Sequence, residues 1–273
     1  MLKSRLVIAA ILIPVVIYTV LMPETIWFAL LMSIFIGMAA WEWAGLTGYS
    51  RTFCMAYLAI VVILLVVTYL FSNTVLLHVL VTIGVLWWGC GFVLIILYQN
   101  GRNMIPSNEF IKASIGILVL IPAWVSLIAL HAKLPDGINM LLFLLLLVWV
   151  ADSAAYFAGC RWGKTKLASH VSSGKTWEGI GGALIACTGL SLGYVMMNNF
   201  QGLNVVLFLL LCLVTFIFSV LGDLIESLFK RLADKKESGG ILFGHGGVMD
   251  RLDSLTAASP IFLAGLWVLD GRI

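Results

Sequence analysis

The chain has 273 residues, of which 62% are hydrophobic and only 11% charged, and its formal net charge is +3. With a mean hydropathy of +1.10, it carries more apolar surface than a water-soluble core can use, so a soluble globular domain is excluded. So small a positive charge also argues against a nucleic-acid partner, and fits loops that face anionic lipid heads or phosphates.

A spanning helix needs roughly 20 apolar residues, because about 30 Å of hydrocarbon is crossed at about 1.5 Å per residue. On that rule the chain reads as an all-α polytopic membrane protein of nine spans: 6 to 22, 26 to 46, 53 to 71, 75 to 97, 111 to 130, 138 to 159, 179 to 197, 203 to 227 and 254 to 270. The first follows Lys3 and Arg5, as a signal peptide would. It is long, however, contains Pro14, and ends in MPET with no small-residue cleavage site, so it reads as an anchor. The second contains an acid, Glu42, in AAWEWAGL, which stands alone beside Trp41 and Trp43 and reads as a structural or interface residue.

Basic residues stay in the cytoplasm, which tests the span count independently. A cytoplasmic N-terminus puts Lys3, Arg5, Arg51, Arg102, Lys112, Arg161, Lys164, Lys166, Lys175, Lys230, Arg231, Lys235, Lys236 and Arg251 on that side. Only Lys133 and Arg272 fall opposite. Splitting or fusing one span would degrade that asymmetry. The whole chain, 1 to 273, reads as a single membrane domain. Spans one to four occupy 1 to 110, and spans five to nine, in 111 to 273, carry the two polar loops of interest, 152 to 179 and 223 to 253.

Cys54, Cys90, Cys160, Cys187 and Cys212 are scattered without CxxC spacing, so neither a disulfide framework nor a zinc site is expected. The polar stretch 98 to 110, YQNGRNMIPSN and its flanks, is turn-rich and ordinary in its chemistry. Acids are the stronger pointers. A carboxylate in hydrocarbon costs at least a few kcal/mol, so one that persists usually faces a protein interior or an aqueous cavity.

Asp152 follows MLLFLLLLVWVA, and Asp223 and Glu226 interrupt the eighth span three residues apart, on one helical face. Asp250 and Asp253 have the same spacing and share a face if GVMDRLDSLTAA opens the ninth helix. Five carboxylates thus converge on one leaflet, beside basic loops. The simpler alternative is local neutralisation, for instance of Asp223 by Lys230. It suits any one acid better than all five.

The loop GCRWGKTKLASHVSSGKTWEG contains GKT, but Ser169 stands where a P-loop has its first Gly and no strand is expected ahead of it, so a P-loop is rejected. What remains is Lys175 as a point charge, with Ser172 or Thr176 as hydroxyl donors to a phosphate. The loop KRLADKKESGGILFGHGGVMDRLDS sets Lys230, Arg231, Lys235 and Lys236 beside His245, flanked by Gly244, Gly246 and Gly247, which let backbone approach a ligand closely. Grouped carboxylates beside cations suit phosphoryl chemistry with a hard divalent cation.

VWVADSAAYFAGCRWGKTKLASHVSSGKTWEG and LGDLIESLFKR…GHGGVMDRLDSLTAA closely resemble the phosphatidate cytidylyltransferase family. Ser227, Lys230-Arg231, Lys236, His245-Gly246-Gly247, Asp250-Arg251 and Asp253 follow the order and spacing of its signature. With weaker similarity around AAWEWAGL, the resemblance covers essentially the whole chain. Glu237, Phe243 and Ser173 depart from the family's usual Asp, Pro and Pro.

The resemblance implies transfer of the cytidylyl group of CTP to phosphatidate, giving CDP-diacylglycerol and pyrophosphate. It further implies a homodimer in a bacterial inner membrane, with the site on the cytoplasmic face among membrane lipids. On this reading Asp223 and Asp250 ligate Mg²⁺, with Asp152, Glu226 or Asp253 assisting a second cation. Lys230, Arg231 and Arg251 offset the triphosphate charge, and His245 orients a phosphate or serves as an acid. Ser172, Lys175, Thr176, Lys236, Gly246 and Gly247 hold substrate.

An ion-coupled transporter is the alternative from another class. It predicts acids near mid-membrane in repeated halves, whereas these crowd one leaflet and no repeat is evident. A sister enzyme using CTP on another lipid phosphate is the nearer alternative.

Overall fold

A computed structural model describes residues 13–48, 50–102, 104–105, 108–134, 136–198, 200–235, 237–239 and 246–269. The helices are α1 (13–21), α2 (Thr25–Leu46), α3 (Arg51–Leu70), α4 (Thr74–Gln99), α5 (Glu109–Lys133), α6 (Gly137–Trp162), α7 (Trp177–Met197), α8 (Leu203–Leu232) and α9 (Met249–Leu269). A hairpin of β1 (Lys166–Ala168) and β2 (Ser172–Thr176) joins α6 to α7.

Among the described residues, α2 to α9 are eight helices long and apolar enough to cross a bilayer, as a polytopic all-α membrane protein requires. Residues 6–12 of the expected first span lie outside the described residues; of the remainder, 13–21 is helical. Polar side chains mark several helix starts: Ser50, Asn73 and Asn108 accept from the first free N–H groups of α3, α4 and α5.

Two helices form the centre. In α5 and α9, 83% and 72% of the apolar window is buried, against 22–44% in the other six. Each carries a proline, Pro122 and Pro260, whose missing N–H and ring disturb the helix. Gly84 of α4 fits against both rings, and a Cβ there would overlap Pro122. The outer helices turn Ile60, Ile63, Leu86, Val93, Ile185 and Met196 outward, as a lipid-facing surface does.

Small residues bring two helix pairs into close contact. Gly182 of α7 lies against Ala158 of α6, and Gly222 of α8 lies so near the Asp253 carbonyl that any side chain would collide with α9.

The span limits differ from expectation chiefly where the acids lie. Helix α8 runs on to Leu232 rather than ending at 227, and α9 starts at Met249 rather than 254. Lys230, Arg231, Asp250 and Asp253 are therefore helical, not loop, residues. The hairpin is a second correction: β1 does precede GKT, although no strand was expected there. Gly174, Lys175 and Thr176 belong to the antiparallel strand β2 itself, so the strand-to-helix phosphate loop is still missing.

Candidate active site

Glycine at 222 lets α8 and α9 touch, and that contact brings the acids of the two helices together. Asp223, Glu226 and Asp253 each offer a carboxylate oxygen within 4.8 Å of the other two. Glu226 is 1% exposed and Asp253 7%, whereas Asp223 is half-buried and reachable. One oxygen of Glu226, Oε1, is buried without a partner among the described residues. Hard oxygens so grouped, one of them unmatched, suit a small divalent cation.

Two lysines neutralise much of this charge. Lys230 Nζ donates to Glu226 Oε2 at 2.8 Å, one turn back on α8, and to Asp250 Oδ1 at 2.6 Å, across on α9. Lys175 reaches from β2 to Asp223 Oδ2 at 2.9 Å and also donates to the Val220 carbonyl. Local neutralisation therefore does occur, with Lys175 rather than Lys230 on Asp223. Among the described residues it leaves Asp253 without a lysine partner, its Oδ1 accepting from the Ser254 N–H at 2.7 Å.

Asp250 borders the carboxylate group rather than belonging to it. Its Oδ2 accepts the Gly247 N–H at 2.6 Å and the Ser238 hydroxyl at 3.1 Å. Gly246 has φ +78°, where a side chain would be strained, and a Cβ on Gly247 would run into Ser238 and Glu42. Both glycines thus serve the turn that delivers a backbone donor to Asp250. Asp152, on the exposed side of α6, accepts from Ser254 at 3.4 Å. That contact attaches the fifth acid to the same cluster.

Arg231 Nε donates to the Val171 carbonyl at 3.3 Å, so it and Lys175 hold the hairpin over α8. Arg251 is exposed on the first turn of α9. Ser172 opens β2, half-buried. Thr176 is 6% exposed and caps α7, its hydroxyl oxygen accepting from the Gly179 N–H at 3.2 Å. His245 and Lys236 lie outside the described residues.

Glu42 does not stand alone. It is 3% exposed, and its Oε2 accepts the Met249 N–H at 2.8 Å and faces the Ser238 hydroxyl at 3.3 Å. Neither Glu42 nor Ser238 was expected at the site. A lone acid within one turn of a span end was the available signal, but no spacing in the chain links it to a partner 207 residues away.

A model of the cytidylyltransferase family matches residues 3–269. The chain is 38% identical over 268 residues to a phosphatidate cytidylyltransferase of Pseudomonas aeruginosa, covering 98% of this chain and 97% of that one. It is 36% identical over 280 residues to the enzyme of that name from Haemophilus influenzae, covering 96% and 97%, and 39% identical over 239 residues to that of Brucella melitensis, covering 85% and 81%. With the match running from residue 3 through the acids of α8 and α9, the chain belongs to the cytidylyltransferase family.

Proposed function

We propose that this chain transfers the cytidylyl group of CTP to phosphatidate, forming CDP-diacylglycerol and pyrophosphate, at the cytoplasmic face of a bacterial inner membrane and as a homodimer. The observation that carries the reading is the convergence of Asp223, Glu226 and Asp253 between two lysine ammoniums at one end of the helix bundle. A phosphatidate oxygen attacks the α-phosphorus of CTP, the bond to the β-phosphate oxygen breaks, and pyrophosphate leaves with that electron pair. The attacking oxygen is already anionic, so no strong base is needed.

The three carboxylates, with Asp250 and Asp152 at the rim, are the residues that would hold Mg²⁺, or Mg²⁺ and a second cation. Bound there, the cation supplies Lewis-acid polarisation of substrate phosphate. Lys230, fixed between Glu226 and Asp250, and Lys175, fixed on Asp223, offset negative charge from two directions. Arg231 and Arg251 add cations at the exposed rim, and Ser172 offers a hydroxyl on the hairpin.

An apolar groove supports a lipid acceptor. It holds about 330 Å³ between α7 and α8 and is lined by Leu184, Cys187, Leu209, Leu213 and Phe216. Phe216 precedes Asp223 by two helical turns, about 10 Å, so an acyl chain in the groove leaves its headgroup at the acids.

The test is the purified protein in detergent with radiolabelled CTP, phosphatidate and Mg²⁺. Labelled CDP-lipid is expected, with release of pyrophosphate, and EDTA should abolish both. Transfer to prenyl phosphate but not to phosphatidate would replace the acceptor and keep the chemistry. No labelled lipid from any acceptor would refute the reading.

A further inference from the structure

The N-terminal half of the chain supplies a residue to the site. Glu42 lies on α2, one turn from its end, and its buried carboxylate looks onto the segment that joins α8 to α9. Burying a carboxylate at a span end is unfavourable unless donors meet it. Here the Met249 N–H, the first of α9, meets Oε2 at 2.8 Å, and the Ser238 hydroxyl meets it at 3.3 Å.

The same Ser238 hydroxyl is 3.1 Å from Asp250 Oδ2, so its single proton is shared between the two acids. Gly239 and Gly247 both pack against the Glu42 carboxylate, and a Cβ on either would overlap it. A second tie runs alongside, from Lys235 Nζ to the Gly45 carbonyl in the last turn of α2, at 2.8 Å.

We infer that Glu42 is a positioning residue of the active site: through Ser238 and the first backbone amide of α9 it sets the turn that aims Asp250 at Lys230 and the carboxylate group. This rests on the reading of those acids as the metal and phosphate site. A Glu at 42 does what Gln cannot. It accepts two donors on one oxygen with a full charge, and charge-assisted bonds to a carboxylate are about twice as strong as those to an amide.

The experiment compares full-length Glu42→Gln, Glu42→Asp and Ser238→Ala with the parent protein in detergent. Hydrogen exchange at the Gly247 and Met249 amides and the Mn²⁺ affinity seen by electron paramagnetic resonance are measured beside turnover. Removing a residue that orients a metal ligand costs on the order of tenfold or more in metal affinity or activity. Glu42→Gln should weaken Mn²⁺ by about that factor and lower kcat by a similar one, while the KM for CTP changes little. Exchange should rise at residues 246–249 and stay unchanged in α5.

Glu42→Asp should recover part of the loss. Ser238→Ala should move all three readouts in the same direction, with an effect that is less than additive in the double variant. A purely structural Glu42 would lower the thermal midpoint and leave Mn²⁺ affinity alone, and that result in Glu42→Gln overturns the inference. If Glu42→Gln does not fold, Ser238→Ala decides: parent-like Mn²⁺ affinity and parent-like exchange at Gly247 overturn it. If the parent makes no CDP-lipid, the proposed function fails, while exchange and Mn²⁺ binding still report on the clasp.

Discussion

At the residue scale, Lys230 has the most to lose. Its side chain is 13% exposed, and its ammonium is the shared partner of Glu226 and Asp250. Deleting one member of a buried ion pair leaves an uncompensated charge, which costs about 3–5 kcal/mol. Lys230→Met should therefore lower the thermal midpoint as well as abolish turnover, and adding Glu226→Gln should restore part of the midpoint but none of the turnover.

Thr176 offers a finer test. As the cap of α7 its loss costs about 1 kcal/mol, so Thr176→Val should lower the midpoint slightly and leave the KM for CTP unchanged. A rise in that KM would place it among the phosphate-binding residues expected from GKT. The acids are legible in the chain because a carboxylate inside an apolar run is conspicuous: cost and spacing mark Asp152, Asp223, Glu226, Asp250 and Asp253, of which Asp223, Glu226 and Asp253 form one group, with Asp250 linked to it through Lys230 and Asp152 through Ser254. Glu42 was equally conspicuous, yet its partner was hidden, since hydrogen bonds to a backbone amide leave no mark in a side-chain pattern.

At the element scale, the hairpin β1–β2 is held to α8 by two side chains, Lys175 on Asp223 and Arg231 on Val171. Lys175→Ala should loosen it, seen as faster hydrogen exchange across 166–176 and as a loss of turnover, with α6 and α7 unchanged. Hydropathy located the spans to within a few residues where apolar runs end at turns, as at α3 and α7.

It cut α8 short by five residues and began α9 five late, because the final turns of α8 and the first of α9 carry the charged residues of the site. A hydropathy window ends where charge begins, and at this site charge and helix coexist. The hairpin escaped for another reason: its strands are three and five residues long, rich in Lys and Ser, with no apolar alternation to give a period of two.

At the scale of the whole molecule, the proposed orientation puts the hairpin and the 233–239 segment in the cytoplasm and the α7–α8 turn outside. In a cysteine-free background, a Cys at 235 should be shielded from an impermeant thiol reagent added to intact cells, and a Cys at 201 should react. The reverse pattern inverts the topology.

The distance along the chain between the two ends of the Glu42 clasp bears on how the molecule is made. Helix α2 is synthesised well before α9, and 207 residues separate Glu42 from the Met249 amide it accepts. Until α9 arrives, the carboxylate lacks the Met249 N–H, the shorter of its two described bonds. If Glu42 positions the turn as inferred, insertion of α9 completes it and aims Asp250 in one event. Biogenesis thereby withholds the site from nascent chains, and a chain truncated before residue 249 is inert without needing to be misfolded.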